Sequence, residues 1–197
     1  MYDILFWILS YKWVIILVVF GVAVVFSFRH YRRVQKVLEI QALKRHGMVT
    51  KYFTRNTLRF TFRNHTYDVS EFSGSRYQSP YSRVVTPLNK PGIPALKLTS
   101  ESWAAEIGKK LGMQDIQIGS SEFDDRFMIK GNDEVFALNL LTYRVQDKLL
   151  VLRKFKPMVS LEENQLMVTV PRVLKKEEEV DLLIETAFTI IERLEEI

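Results

Sequence analysis

Cysteine is absent from the 197 residues, which excludes a disulfide framework, thiolate metal sites and a cysteine nucleophile, and leaves the redox compartment open. Histidine occurs three times, and His30, His46 and His65 show no metal-ligand spacing. There is no G-x-S-x-G elbow, no G-x-x-x-x-G-K-[ST] phosphate loop and no G-x-G-x-x-G. Gly108 and Gly112 flank KKL in an amphipathic stretch, a capping pattern rather than a phosphate cradle. Without a catalytic constellation, the sequence predicts a non-enzymatic protein with no cofactor.

Acids are scarce in one region. From Arg29 to Lys97 fourteen Lys and Arg stand against Glu39, Asp68 and Glu71, a balance of +11, whereas Leu98 to Ile197 carries thirteen against nineteen, a balance of −6. A basic segment of that kind suits anionic headgroups, with each nearby cation contributing roughly 1 kcal/mol. An ordinary solvated surface reads the same way.

What the chain has in plenty is apolar helix-former at its N-terminus. WVIILVVFGVAVVFSF, residues 13–28, is uncharged, and ILFWILSY extends it back to Ile4, interrupted by Lys12. Sixteen residues at 1.5 Å rise fall short of a bilayer core of about 30 Å, and the longer stretch exceeds it. The sequence therefore predicts a single transmembrane helix that begins within the N-terminal segment. Lys12 would snorkel between the interfacial aromatics Tyr11 and Trp13. The bulky VVFSF, with basic residues after rather than before the apolar run, argues against a cleaved signal peptide. Arg29, Arg32, Arg33 and Lys36 follow at once, and the positive-inside rule then places the protein in the inner, cytoplasmic membrane with its N-terminus outside and its C-terminal domain in the cytoplasm. Gly21, Ala23 and Ser27 are the small residues of the run, and the spacing of Ala23 and Ser27 could seat a second helix. Helical propensity continues to Gly47, read as a C-terminal cap, with Val34, Val37, Leu38 and Ala42 as an apolar stripe.

The remainder predicts an α+β domain with antiparallel hairpins and a C-terminal amphipathic helix. Residues 1–46 form the anchor and basic helix, and 47–197 the domain, divisible into a β-rich part over 47–97 and an α+β part over 98–197. LRFTFRNHTYDVS reads as a hairpin turning at Arg63, Asn64 and His65. SGSRYQSPYS and PLNKPGIP are loops, and RVV and ALKL short strands. SESWAAEIGKKLG, residues 100–112, reads as a helix burying Trp103, Ile107 and Leu111. MVSLEENQLMVTV is a second hairpin around residues 162–164. In the closing helix Val180, Ile184, Ala187, Ile191 and Leu194 recur at spacings of four and three, widened by Leu183, Ile190 and Ile197.

SEFDDRFMIKGNDEVFALNLL, residues 121–141, concentrates five carboxylates: Glu122, Asp124, Asp125, Asp133 and Glu134. Asn132 or Asp133 is a natural helix cap, and Asp133 and Glu134 suit a helix N-terminus. FDDRFMI alternates as a strand, with Phe123, Asp125, Phe127 and Ile129 on one side, so adjacent Asp124 and Asp125 cannot share a cation. The helix after it is expected to bury Val135, Leu138 and Leu141, and Thr142 to cap YRVQDKLLVLRKF. Arg55, Arg59 and Arg63, interleaved with Phe53, Phe60, Phe62 and Tyr67, resemble a single-strand stacking pattern. An edge strand, or a headgroup or acidic-protein contact, explains them better, and no nucleic acid partner is expected.

The segment from Gly112 to Leu152 carries Phe123, Asp124, Phe127, Ile129 where a valine is usual, Asp133, and Leu140 to Thr142. In these residues it resembles uncharacterised bacterial single-pass membrane proteins whose soluble domain, of unknown function, has an F-D-x-x-F-x-V pattern, a turn with Asp and an apolar helix ending in L-L-T. The resemblance implies an α+β fold and a bacterial source, and transfers no activity. The leading expectation is a non-enzymatic accessory subunit that binds and stabilises a larger integral membrane complex, of respiratory or photosynthetic type, with integral subunits and anionic headgroups as partners. The alternatives are a tethered ligand- or protein-binding module, and an enzyme using Glu122, Asp124 and Asp125 with a divalent metal.

Overall fold

The computed structural model describes residues 2–51, 55–100 and 114–197. Apart from Ser100, the helix expected over 100–112 lies outside the described residues, as does Phe53. The chain divides into two compact units, Met1–Lys36 and Val37–Ile197. Helix α1 (Tyr2–Arg45) forms the first, and its residues from Val37 onward belong to the second.

Among the described residues no helix is long and apolar enough to cross a membrane. The expected single-pass anchor is overturned, and with it the inner-membrane placement with an outside N-terminus and a cytoplasmic domain. The helix also does not stop at an interface: it runs on without a break through Arg29, Arg32, Arg33 and Lys36.

In the second unit a single sheet of nine strands replaces separate hairpins. Its strands are β1 (Met48–Lys51), β2 (Arg55–Phe62), β3 (His65–Phe72), β4 (Tyr81–Pro87), β5 (Leu96–Ser100), β6 (Gln114–Ile116), β7 (Phe127–Gly131), β8 (Met158–Glu162) and β9 (Gln165–Val170). The order is β1-β2-β3-β4-β9-β8-β5-β7-β6, with every pairing antiparallel. The two tightest hairpins turn on two residues each, Arg63–Asn64 and Glu163–Asn164, all four with positive φ. That geometry matches the right-handed twist of the flanking strands, and asparagine tolerates it better than most residues. His65 therefore opens β3 rather than sitting in the turn.

One face of the sheet is apolar: Leu58 and Phe60 on β2, Tyr67 and Val69 on β3, Val84 on β4, Leu166, Val168 and Val170 on β9, Val159 and Leu161 on β8, Leu96 and Leu98 on β5, and Ile129 on β7 are all buried. Period-two alternation puts them on the same side in register. Helices α2 (Ser121–Asp124), α3 (Glu134–Leu140), α4 (Tyr143–Leu152) and α5 (Glu177–Glu196) follow in chain order, and a 3-10 turn at Arg153–Phe155 ends α4. The last helix buries Val180, Leu183, Ile184, Ala187, Ile190, Ile191 and Leu194 as its spacing requires, while Ile197 is exposed. Val37, Leu38 and Ala42 at the end of α1 belong to the same core.

Three local expectations change. Gly47 is not the left-handed residue that ends α1: His46 is, with φ 52°, and the Gly47 amide donates to Ala42 O at 2.8 Å. Gly47 is required for close approach instead, because a Cβ there would lie 2.8 Å from Arg59 O and Leu58 Cδ1 and 2.9 Å from Phe60 Cβ. Phe123 lies within a helical turn rather than a strand, so β7 begins at Phe127 and Asp125 is exposed. Finally, α3 buries Ala137 and Leu140, with Leu141 behind them, and leaves Val135 and Leu138 exposed.

Candidate functional site

The residues singled out for interface and helix packing all lie in the first unit. Tyr11 and Trp13 are 57% and 67% exposed, and Lys12, Arg29, Arg32, Arg33 and Lys36 are exposed as well. The backbone of Ala23 and Ser27 continues the helix, and their side chains lie outside the described residues. A Cβ on Gly21 would meet nothing within 4 Å, so Gly21 leaves a notch on that side of the helix. Val18, Gly21, Val22, Val25 and Arg29 line it. They are spaced at i, i+3, i+4, i+7 and i+11, which is one stripe of a single helix.

The apolar residues around that notch matter more. Twelve side chains, Tyr11, Trp13 to Phe20, Val22, Val24 and Val25, are each more than half exposed. Because eight of them are consecutive, they cover every side of the helix, and a helix apolar all round ordinarily belongs in an apolar environment. Exposed apolar area on this scale marks an interaction surface.

The acidic stretch does not form a site. Asp124 accepts hydrogen bonds from the backbone N–H of Ile118 at 3.1 Å and of Gly119 at 3.0 Å, closing the loop before α2. Glu122 faces Arg126 at 3.5 Å, and Asp115 faces Lys130 at 3.3 Å. Asp133 caps α3 by accepting from Phe136 N at 2.9 Å. The carboxylates thus serve separate local ends, and no group of three metal-binding side chains occurs among the described residues. Thr142 holds the cap position of α4 without a side-chain cap hydrogen bond.

The arginine and aromatic pattern likewise turns inward or pairs. Arg59 makes a two-pronged contact with Asp68 at 2.6 and 2.7 Å, and Arg55 reaches Ser70 Oγ at 3.4 Å. Phe60 stacks on Tyr67 at 5.3 Å, and Phe188 of α5 meets Tyr67 edge-on at 4.7 Å, so these rings serve the core. Burial, reinforced by Glu195 and Glu192, pushes the Tyr67 phenol up from its ordinary value. At the hairpin tip Arg63 pairs with Glu192, and His65 Nε2 lies 2.7 Å from Glu195 Oε1. At the other end of α5, Asp181 receives Lys44 Nζ at 2.8 Å and Arg45 Nη2 at 2.5 Å. Partial burial pushes the Asp181 carboxyl up, but the hydrogen bonds from Lys44 and Arg45 and the Arg45 charge outweigh it, and the net shift is downward.

One titratable group was not singled out by its sequence context. Glu71 on β3 is 2% exposed, both of its carboxyl oxygens are buried without a hydrogen-bond partner, and burial pushes it up from 4.5 to about 8. The signal was available: the inward alternation of His65, Tyr67 and Val69, carried one step past Ser70, puts residue 71 inside.

No family model matches the chain, and no curated protein does. Among solved structures, the crystal structure of the mycobacterial trehalose monomycolate transport factor A, TtfA, is similar with a TM-score of 0.58 at 11% identity, over 83% of this chain and 93% of that one. At that identity the likeness is one of fold alone.

Proposed function

We propose that the chain is a non-enzymatic accessory subunit of a larger complex, held to apolar helices of integral partner subunits by the exposed apolar length of α1. The observation that carries this reading is the run of apolar side chains from Trp13 to Val25 exposed on all sides of one helix. Left in water, such a surface forfeits roughly 25 cal/mol for every Å² it could bury. Partner helices of matching chemistry recover that free energy, and the reading assigns no membrane span to this chain. The scattered, locally committed carboxylates support a binding role over catalysis. The fold likeness to a protein described as a transport factor supports beginning the search with transport assemblies.

The test is a mild-detergent pull-down of the full chain from its native cell, compared with Val18→Glu/Val22→Glu. A stoichiometric set of integral subunits with the natural sequence, lost in the double variant while the second unit melts unchanged, is the expected result. Purification of the natural chain alone would reject the reading.

A further inference from the structure

Asn56, Glu71 and Ser82 stand opposite one another on β2, β3 and β4, each one residue in from the end of its strand. Residues opposite in register point to one side of the sheet, here the side that carries Leu58, Val69 and Val84, and the three are 3%, 2% and 1% exposed. Next in the row comes Val170 of β9, fully buried and apolar. From Val170 the chain turns toward α5, and on the way the Leu174 amide donates to Ser82 Oγ at 2.9 Å. The row therefore lies under the corner where β4, the loop over 171–176 and the start of α5 are tied together.

Among the described residues no cation pairs with Glu71. Its strand neighbours are a neutral amide and a hydroxyl. Arg55 of β2 reaches Ser70 on the opposite face, and Arg83 of β4 donates to Thr169 Oγ1 and lies over Tyr81, again on that face. In the loop Arg172 lies over the Phe155 ring, Lys175 and Lys176 are exposed, and Glu179 of α5 accepts from the Lys175 amide. Glu177 and Asp181 of α5 pair with Lys44, and Asp181 also with Arg45, at the end of α1. Glu178 is exposed. An ionised carboxylate without a partner is among the costliest groups to enclose.

We propose that this row is a proton-operated latch: with the Glu71 carboxyl protonated the ends of β2, β3 and β4 stay closed beneath the loop into α5, and release of that proton accompanies opening of the corner. The sign follows from linkage. In the open corner Glu71 regains water and ionises near its ordinary 4.5, whereas the closed corner holds the proton up to about pH 8. Between those values opening releases one proton, so the opening constant rises about tenfold per pH unit, and above them it levels off.

Hydrogen exchange on the full chain reads this directly, with rates corrected for base catalysis of the free amide. Between about pH 5.5 and 7.5 the opening constant at Leu174, Glu71 and Ser82 should rise about a hundredfold, while Glu71→Gln should hold it flat. A flat natural chain, or an equal rise in the variant, overturns the proposal. Should Glu71→Gln fail to fold, the carboxyl ¹³C resonance of Glu71 in the natural chain decides: a midpoint near 8 supports the latch, and one below about 5 refutes it.

Discussion

Helices α1 and α5 are both rich in valine, isoleucine and leucine, yet their apolar residues meet opposite fates. Along α5 those residues recur every three or four positions, leaving room for Glu178, Glu185 and Glu192 between them, and the stripe lies buried on the sheet. Along α1 between Trp13 and Val25 no polar face exists to turn outward, and the side chains stand exposed all round. The lesson is that apolar content alone does not say what a helix packs against. A stripe finds its cover within its own chain, and a fully apolar helix needs cover from elsewhere.

The sharpest way to separate the two is one truncation in each. Leu183→Ala in α5, fully buried, should cost about 3 to 5 kcal/mol through lost transfer free energy and a residual cavity, read as a lower urea midpoint with the slope unchanged. Val18→Ala in α1, 60% exposed, should leave that midpoint within about 0.5 kcal/mol. Equal losses would erase the distinction.

A smaller effect tests how the end of α1 packs against β2 within the second unit. Gly47→Ala puts a Cβ 2.8 Å from the backbone oxygen of Arg59, which cannot move away as a flexible side chain would. The expected loss is about 2 kcal/mol, typical of an overpacked contact, again from urea denaturation. A neutral result would show that α1 and β2 have slack there.

The smallest effect concerns Asp181. Its folded-state value lies below the ordinary 3.8, so its stabilising contribution is present above that value and is lost as pH falls through the folded one. The stability difference between the natural chain and Asp181→Asn should therefore be present at about pH 6 and shrink well below pH 4. Solvent screens the share of half-exposed Lys44, so most of the difference comes from the better-buried Arg45. A difference that grew toward acid pH would contradict the pairing.

Sequence carried some of this further than the rest. The hairpins at Arg63–Asn64 and Glu163–Asn164 and the stripe of α5 were readable because turn chemistry and periodicity are local. The joining of β4 to β9 and of β5 to β8 was not, since no local signal reports which distant strands will pair. The face of α3 differs from the expected one because Val135 and Leu138 look like core residues by composition, whereas the helix turns Ala137 and Leu140 inward. Asp124, a strand residue by alternation, is drawn into a turn by two backbone amides. The apolar N-terminal run predicts its helix correctly but not a membrane span, since no helix among the described residues is long and apolar enough to cross one.

The account rests most on what covers α1, and photo-crosslinking tests it in place. A photoreactive residue is put in turn at Val14, Ile15, Ile16 and Leu17, four consecutive positions that point to all sides of the helix, and the full chain is irradiated in its native cell. The account predicts crosslinks to integral subunits of one complex from all four positions. Crosslinks only between copies of this chain, or none at any position, would contradict it.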